Sequence, residues 1–336
     1  MILIHILISL LPVIAFLGGL ILIDSYKLLS PKMVGVALAV GLVAALASLG
    51  VNSGILMVTG WSRHVMTGFG APVVEEILKG ILIVVLVMSN RVGFAVDAAI
   101  MGFAVGAGFA VVENVFYLGS IPDAATPIWI MRGFGTAIMH GLATTLFAVT
   151  LRTLHRGDDQ SLWWPVVAGL IPAILVHAAY NLFLLPPLVT IVVLLVVGPL
   201  LIFVVFNRSE KKTREWLGAG FDTDQELLTL IMKGTLPDSR VGRYLQALRS
   251  RFEGPVVVDM LCLIRLRVEL SLRAKGILMM RSSGFSVPAD PAMKSRFDEM
   301  RHLEQSIGRT GLLALEPIHK LSRKELWQLN MLESTA

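Results

Sequence analysis

The chain has 336 residues, of which 55% are hydrophobic and only 16% charged, and its mean hydropathy of +0.75 is far above that of an ordinary soluble domain. The net charge of +5 lies wholly in the tail: residues 1–206 hold eight Lys or Arg and eight Asp or Glu, whereas 207–336 hold 21 and 16. A basic tail beside a bilayer answers anionic lipid and the positive-inside rule, and no nucleic-acid motif accompanies it, so no nucleic-acid partner is expected.

In chain order, the first apolar stretch covers about 2–23. It is too long for a signal-peptide core, with no basic residue ahead of it, and is expected to stay attached. Lys27 and Lys32 follow, then a Gly- and Ala-rich span over 33–58 whose small residues allow close helix approach. Residues 59–70, with Gly and Trp, read as a loop. Pro72 suits the first turn of a third helix over 71–88, where its missing N–H is lost without cost. Further spans follow over 92–118, 133–151, 162–185 and 187–206, each near the ~20 residues needed to cross hydrocarbon. The expected fold is all-α: a polytopic membrane bundle of about seven transmembrane helices (1–206), followed by a cytoplasmic, soluble helical tail (207–336).

Basic residues orient the bundle. Lys27 and Lys32, Arg91, Arg152 and Arg156, and Arg208, Lys211, Lys212 and Arg214 follow spans one, three, five and seven, while the opposite loops hold only Arg63, with Arg132 at the mouth of span five. The positive-inside rule then puts the N-terminus outside and the C-terminus in the cytoplasm, as expected for a plasma membrane of bacterial type.

Span three carries the chemistry. Ala71-Pro72-Val73-Val74-Glu75-Glu76-Ile77-Leu78-Lys79-Gly80 places two acids and a lysine in an apolar helix, and a carboxylate in hydrocarbon costs several kcal/mol, so such groups face a wet interior and mark function. Lys79 stands four residues after Glu75 and three after Glu76, so one lysine is expected to serve both acids. At least one carboxyl must be protonated, paired to another helix or cation-bound. Glu113 and Asn114 lie near one end of span four, His140 in span five, and His177 and Asn181 on one face of span six. At ~1.5 Å per residue all of these fall in the outer half of the membrane. Asn181 is placed to orient His177 one turn away, and Glu113 with Asn114 to meet Arg132 at the outer rim.

With neither serine nor cysteine in the cluster, peptide hydrolysis would need a water activated by a carboxylate and a group that stabilises the oxyanion. In a metal-free scheme Glu75 or Glu76 is the base, and His140, His177 or Asn181 the donor. In a metal scheme His140, His177 and one of the two glutamates hold Zn2+, and the other glutamate is the base. No HExxH helix is present, and the residues permit either scheme.

PVVEEILKG at 72–80, GFAVVENVFY at 108–117, MHGLATTLFA at 139–148 and HAAYN at 177–181 together resemble the PrsW family of intramembrane proteases, within the wider group of CaaX-prenyl proteases and bacteriocin-processing relatives. The resemblance covers about residues 60–185. It implies proteolysis of membrane-anchored proteins, in some members anti-sigma factors. It also implies Glu75 and Glu76 as essential acids, Glu113 and Asn114 as a second motif, and His140, His177 and Asn181 as the rest of the site, with Lys79 in support. The rival classes are a non-catalytic scaffold of the same fold and an ion-coupled transporter; the latter is disfavoured because the unequal spans show no duplication.

In the tail, helical periodicity covers 225–233, 241–252, 256–280 and 322–332, with a capping box at Ser322 and Glu325 and a loop over 282–291. The tail fits a small helical domain or a docking module equally well.

Overall fold

A computed structural model describes residues 2–155, 161–288, 290–319 and 321–333; Arg156, counted above among the orienting charges, lies outside the described residues. The chain forms two compact units, Met1–Glu210 and Lys211–Ala336.

The first unit is a helical bundle. Its main helices are α1 (Ile2–Ile23), α2 (Pro31–Thr59), α3 (Ala71–Met88), α4 (Ala95–Ser120), α5 (Ala137–Leu154), α6 (Trp163–Asn181) and the start of α7 (Pro187–Met232). Among the described residues, six helical stretches are long and apolar enough to cross a membrane; these are α1, α2, α4, α6, α7 and the run Thr126–Leu154 that ends in α5. α3 is as long as a short span and differs from them in carrying Glu75, Glu76 and Lys79. Six such stretches stand against the about seven spans expected, and α3 is the additional helix counted in the sequence.

α4 is the central helix, buried on nearly every side. Its glycines make that possible, because a bilayer offers little hydrophobic drive between helices and close backbone approach has to supply the packing. A Cβ on Gly106 would lie 2.3 Å from the His140 carbonyl oxygen, and one on Gly108 would lie 2.1 Å from that of Leu38. α4 thus touches α5 and α2 backbone to backbone. Gly106→Ala is expected to push α5 away at the level of His140 and cost about 1–3 kcal/mol, read as a lower unfolding midpoint in detergent. An unchanged midpoint would show that the two helices are not held this closely.

Residues 59–70, anticipated as a loop, are mostly helical. Ser62 caps a short turn, Arg63–Val65, by accepting a hydrogen bond from the Val65 N–H at 3.2 Å. A π-helical turn, Met66–Gly70, then runs directly into α3. α5 is preceded in the same way by a short helix, Thr126–Ile130, and a π-turn, Met131–Thr136, so the expected start at 133 falls inside the π-turn. α6 ends at Asn181 rather than near 185. α7 continues beyond 206: Arg208 to Leu217 are mostly good helix formers with no glycine or proline to stop them, and the helix then runs on through Gly218 and Gly220 to Met232.

The second unit contains the end of α7, then α8 (Arg240–Leu248), α9 (Gly254–Ser282), α10 (Ala292–His319) and α11 (Arg323–Glu333). Residues 225–233, anticipated as a separate helix, largely belong to α7. α10 was not anticipated because Gly308, Gly311 and Pro317 interrupt its pattern; at Gly308 the backbone turns left-handed (φ +68°) and kinks the helix. The capping box forms: the Ser322 N–H donates to Glu325 at 2.6 Å and the Glu325 N–H to Ser322 Oγ at 3.3 Å. Lys275 is buried in this unit, where its Nζ donates to Asp224 at 2.7 Å and to the Gly220 carbonyl at 2.9 Å.

Candidate active site

The two π-turns set up the site. In each, the N–H that closes the widened turn reaches back five residues: Ala71 to the Met66 carbonyl, and Ala137 to that of Arg132. π-turns are rare and concentrate at functional positions. Here each carries the pentapeptide Met-x-Gly-Phe-Gly, at 66–70 and 131–135. Glu75 and His140 each stand nine residues after the opening methionine.

The polar side chains of α3, α4, α5 and α6 meet at one end of the bundle. Glu76 is fully buried, and its Oε1 accepts from Lys79 Nζ at 2.5 Å and from His177 Nδ1 at 2.8 Å. Lys79 Nζ also lies 3.0 Å from His140 Nδ1 and over the Phe109 ring. The opposite edge of His140, Nε2, is 2.8 Å from Glu113 Oε2. The two imidazoles stand edge to face, with centroids 4.7 Å apart.

Glu75 is placed differently. Its Oε2 is 3.7 Å from His177 Nε2, and its Oε1 accepts from the Asn52 amide at 3.3 Å. It lines a cavity of about 490 Å³, together with Glu113, Arg132, His177, Tyr180 and Asn181. Glu76, Lys79 and His140 are not among the lining residues. Exposed Arg63, Thr67 and Phe183 stand at the rim.

Glu113 and Asn114 are tied to Arg132, as anticipated. Arg132 pairs with Glu113 at 3.2 Å, donates from Nε to Asn114 at 2.9 Å, and covers the Tyr117 ring. Asn114 in turn donates to the Ser9 carbonyl of α1 at 2.7 Å.

Two contacts expected from the sequence are replaced by others. Lys79 binds only one of the two acids, because adjacent residues point ~100° apart around a helix and Glu75 is turned toward the cavity. Asn181 does not orient His177: its amide donates to the Thr67 carbonyl at 3.0 Å. Pro72, five residues after Thr67, has no N–H to return to that carbonyl.

Asn52 and Tyr180 do not stand out in the sequence. Asn52 is a lone amide in a Gly- and Ala-rich helix, and Tyr180 sits beside His177 and Asn181 like any packing aromatic. The repeated Met-x-Gly-Phe-Gly ahead of both motifs is the signal that could have drawn attention to the π-turns.

One donor atom each from Glu75, His140 and His177 lies within 4.8 Å of the others. A carboxylate and two imidazoles form a common catalytic zinc set. Glu76 on the far nitrogen of His177 is the carboxylate that such a ligand usually has behind it. The residues therefore supply a donor set for a divalent cation, which would have to take the place of Lys79 or Glu113 at one of the His140 nitrogens.

The model of the family described as PrsW family intramembrane metalloprotease matches residues 29–206. No curated protein and no solved structure matches the chain.

Proposed function

The chain belongs to the PrsW family of intramembrane metalloproteases and is an integral membrane protein with a peptidase domain, and from this premise we propose that it cleaves membrane-anchored protein substrates with Glu75 as the proton-accepting carboxylate. The observation that carries this reading is the convergence of Glu75, His140 and His177 beside a cavity that Glu75 and His177 line.

Glu75 is the acid suited to meet water, since Glu76 is enclosed by Lys79 and His177. The Glu75 carboxylate takes a proton from a water whose oxygen bonds to the scissile carbonyl carbon. As the C–N bond breaks, that proton passes to the departing amine. Asn52 holds Glu75, Glu76 holds His177, and Glu113 with Lys79 holds His140. A cation would be held by Glu75, His140 and His177, where it would polarise the carbonyl and acidify a bound water; with Glu75 engaged as its ligand, the proton would go instead to Glu113, the other carboxylate lining the cavity.

The orientation derived from the basic residues puts this end of the bundle on the outer side. A substrate helix hides its peptide groups and must unwind to be cut, which is tolerable only in a wet cavity or near the interface. Cleavage is therefore expected within about two helical turns of the outer boundary of the substrate's span. A substrate of this kind is a single-span regulatory protein such as an anti-sigma factor.

The test is to incubate purified protein with single-span substrates, with and without chelator, and to map fragments by mass spectrometry. Cleavage near the outer boundary is expected; loss with chelator and recovery with zinc would make Glu75 a cation ligand and Glu113 the proton acceptor. A principal cut at the cytoplasmic end would overturn the orientation, and cleavage that survives chelation would remove the cation while leaving the carboxylate in place.

A further inference from the structure

We propose that Tyr180 is a positioning residue that, with Asn181, clamps the end of α6 across both π-turns and so sets where His177 stands. The inference rests on the assignment of His177 to the site made above.

The clamp follows from the backbone. Each π-turn offers a carbonyl to a side chain at the end of α6: Asn181 Nδ2 donates to Thr67 O at 3.0 Å, and Tyr180 Oη donates to Met131 O at 3.2 Å. Tyr180 Oη also lies 3.1 Å from Thr136 Oγ1. Adjacent residues of α6 thus reach opposite ways, one to the turn that leads to Glu75 and Glu76 and the other to the turn that leads to His140. His177 is one helical turn back, beside Glu76 and facing the His140 ring. Holding the helix end at two points fixes both its rotation and its height, and His177 moves with it.

Gly135 belongs to the same device. A Cβ there would lie 2.4 Å from Tyr180 Oη, so only glycine leaves room for the hydroxyl to reach the turn. The left-handed backbone of Phe183 (φ +50°) ends the helix directly after the clamp.

Tyr180→Phe removes one oxygen and retains the ring. The expected result is a fall in kcat of tenfold or more with KM within about twofold, an unchanged thermal midpoint, and faster hydrogen exchange confined to residues 177–185. Gly135→Ala, which crowds the hydroxyl away from the turn while keeping the tyrosine itself, should reproduce the pattern. Wild-type kcat and exchange in both variants would overturn the clamp. A fall in activity matched by an equal loss of folded protein would also overturn it, in favour of a merely structural tyrosine. The exchange readout needs no turnover, so a protein in which protection at 177–185 depends on Tyr180 but which cleaves no substrate would refute the peptidase assignment of the site and keep the clamp.

Discussion

Glu75→Gln is expected to lower cleavage by roughly a hundredfold to ten-thousandfold while the protein still folds and inserts. The substitution keeps the volume and keeps an oxygen to accept from Asn52, and it removes the charge from a residue that lines the cavity and, among the described residues, has no lysine or arginine in contact. Nothing in the packing depends on that charge. Glutamine also donates where carboxylate only accepts, so proton abstraction is lost, and the donor set for a cation loses its one anionic member. The measurement is single-turnover cleavage of a reconstituted substrate, with the thermal midpoint and zinc affinity of the same preparation. Turnover near the wild-type rate would remove Glu75 from the chemistry, and the proton acceptor would then have to be sought at Glu113, the other carboxylate on the cavity wall.

What could be read in advance follows a physical divide. Ionisable groups in apolar helices are costly wherever they point, so Glu75, Glu76, Lys79, His140 and His177 declare themselves from composition alone. Which of two adjacent glutamates faces water depends on the rotation of α3 about its axis, and that is set by the π-turn before it and by the close packing of Gly80 against Phe147. Neither is visible as periodicity. The stretch 59–70 reads as a loop because glycines punctuate loops in most sequences, whereas here they let a helix widen, and the carbonyl facing Pro72 is taken up by Asn181, more than a hundred residues away. The α1 helix shows the same limit. It precedes the segment matched to the family, yet its Ser9 carbonyl holds Asn114 and, through Arg132, the acid that faces His140. Helix existence is local information; a freed carbonyl and its distant donor are not.

The ion pair beneath the cavity gives the second large effect, and on stability rather than on chemistry. Glu76 and Lys79 have fully buried side chains in contact with each other, and breaking such a pair by removing one member typically costs about 3–5 kcal/mol because the other charge is left uncompensated. Glu76→Gln and Lys79→Met are each expected to lower the unfolding free energy by about that amount. The double variant removes both charges and should recover most of the loss, since a neutral pair of similar volume carries no desolvation penalty, and the amide oxygen that replaces the Glu76 carboxylate can still accept from His177. Activity should not recover with it, because Lys79 also lies against His140 Nδ1, and its loss leaves that ring held only through Nε2 by Glu113. Unfolding in detergent of the wild type, both single variants and the double variant closes the cycle. A coupling of several kcal/mol with no return of cleavage is expected, and strictly additive losses would mean that the lysine is held by something other than Glu76.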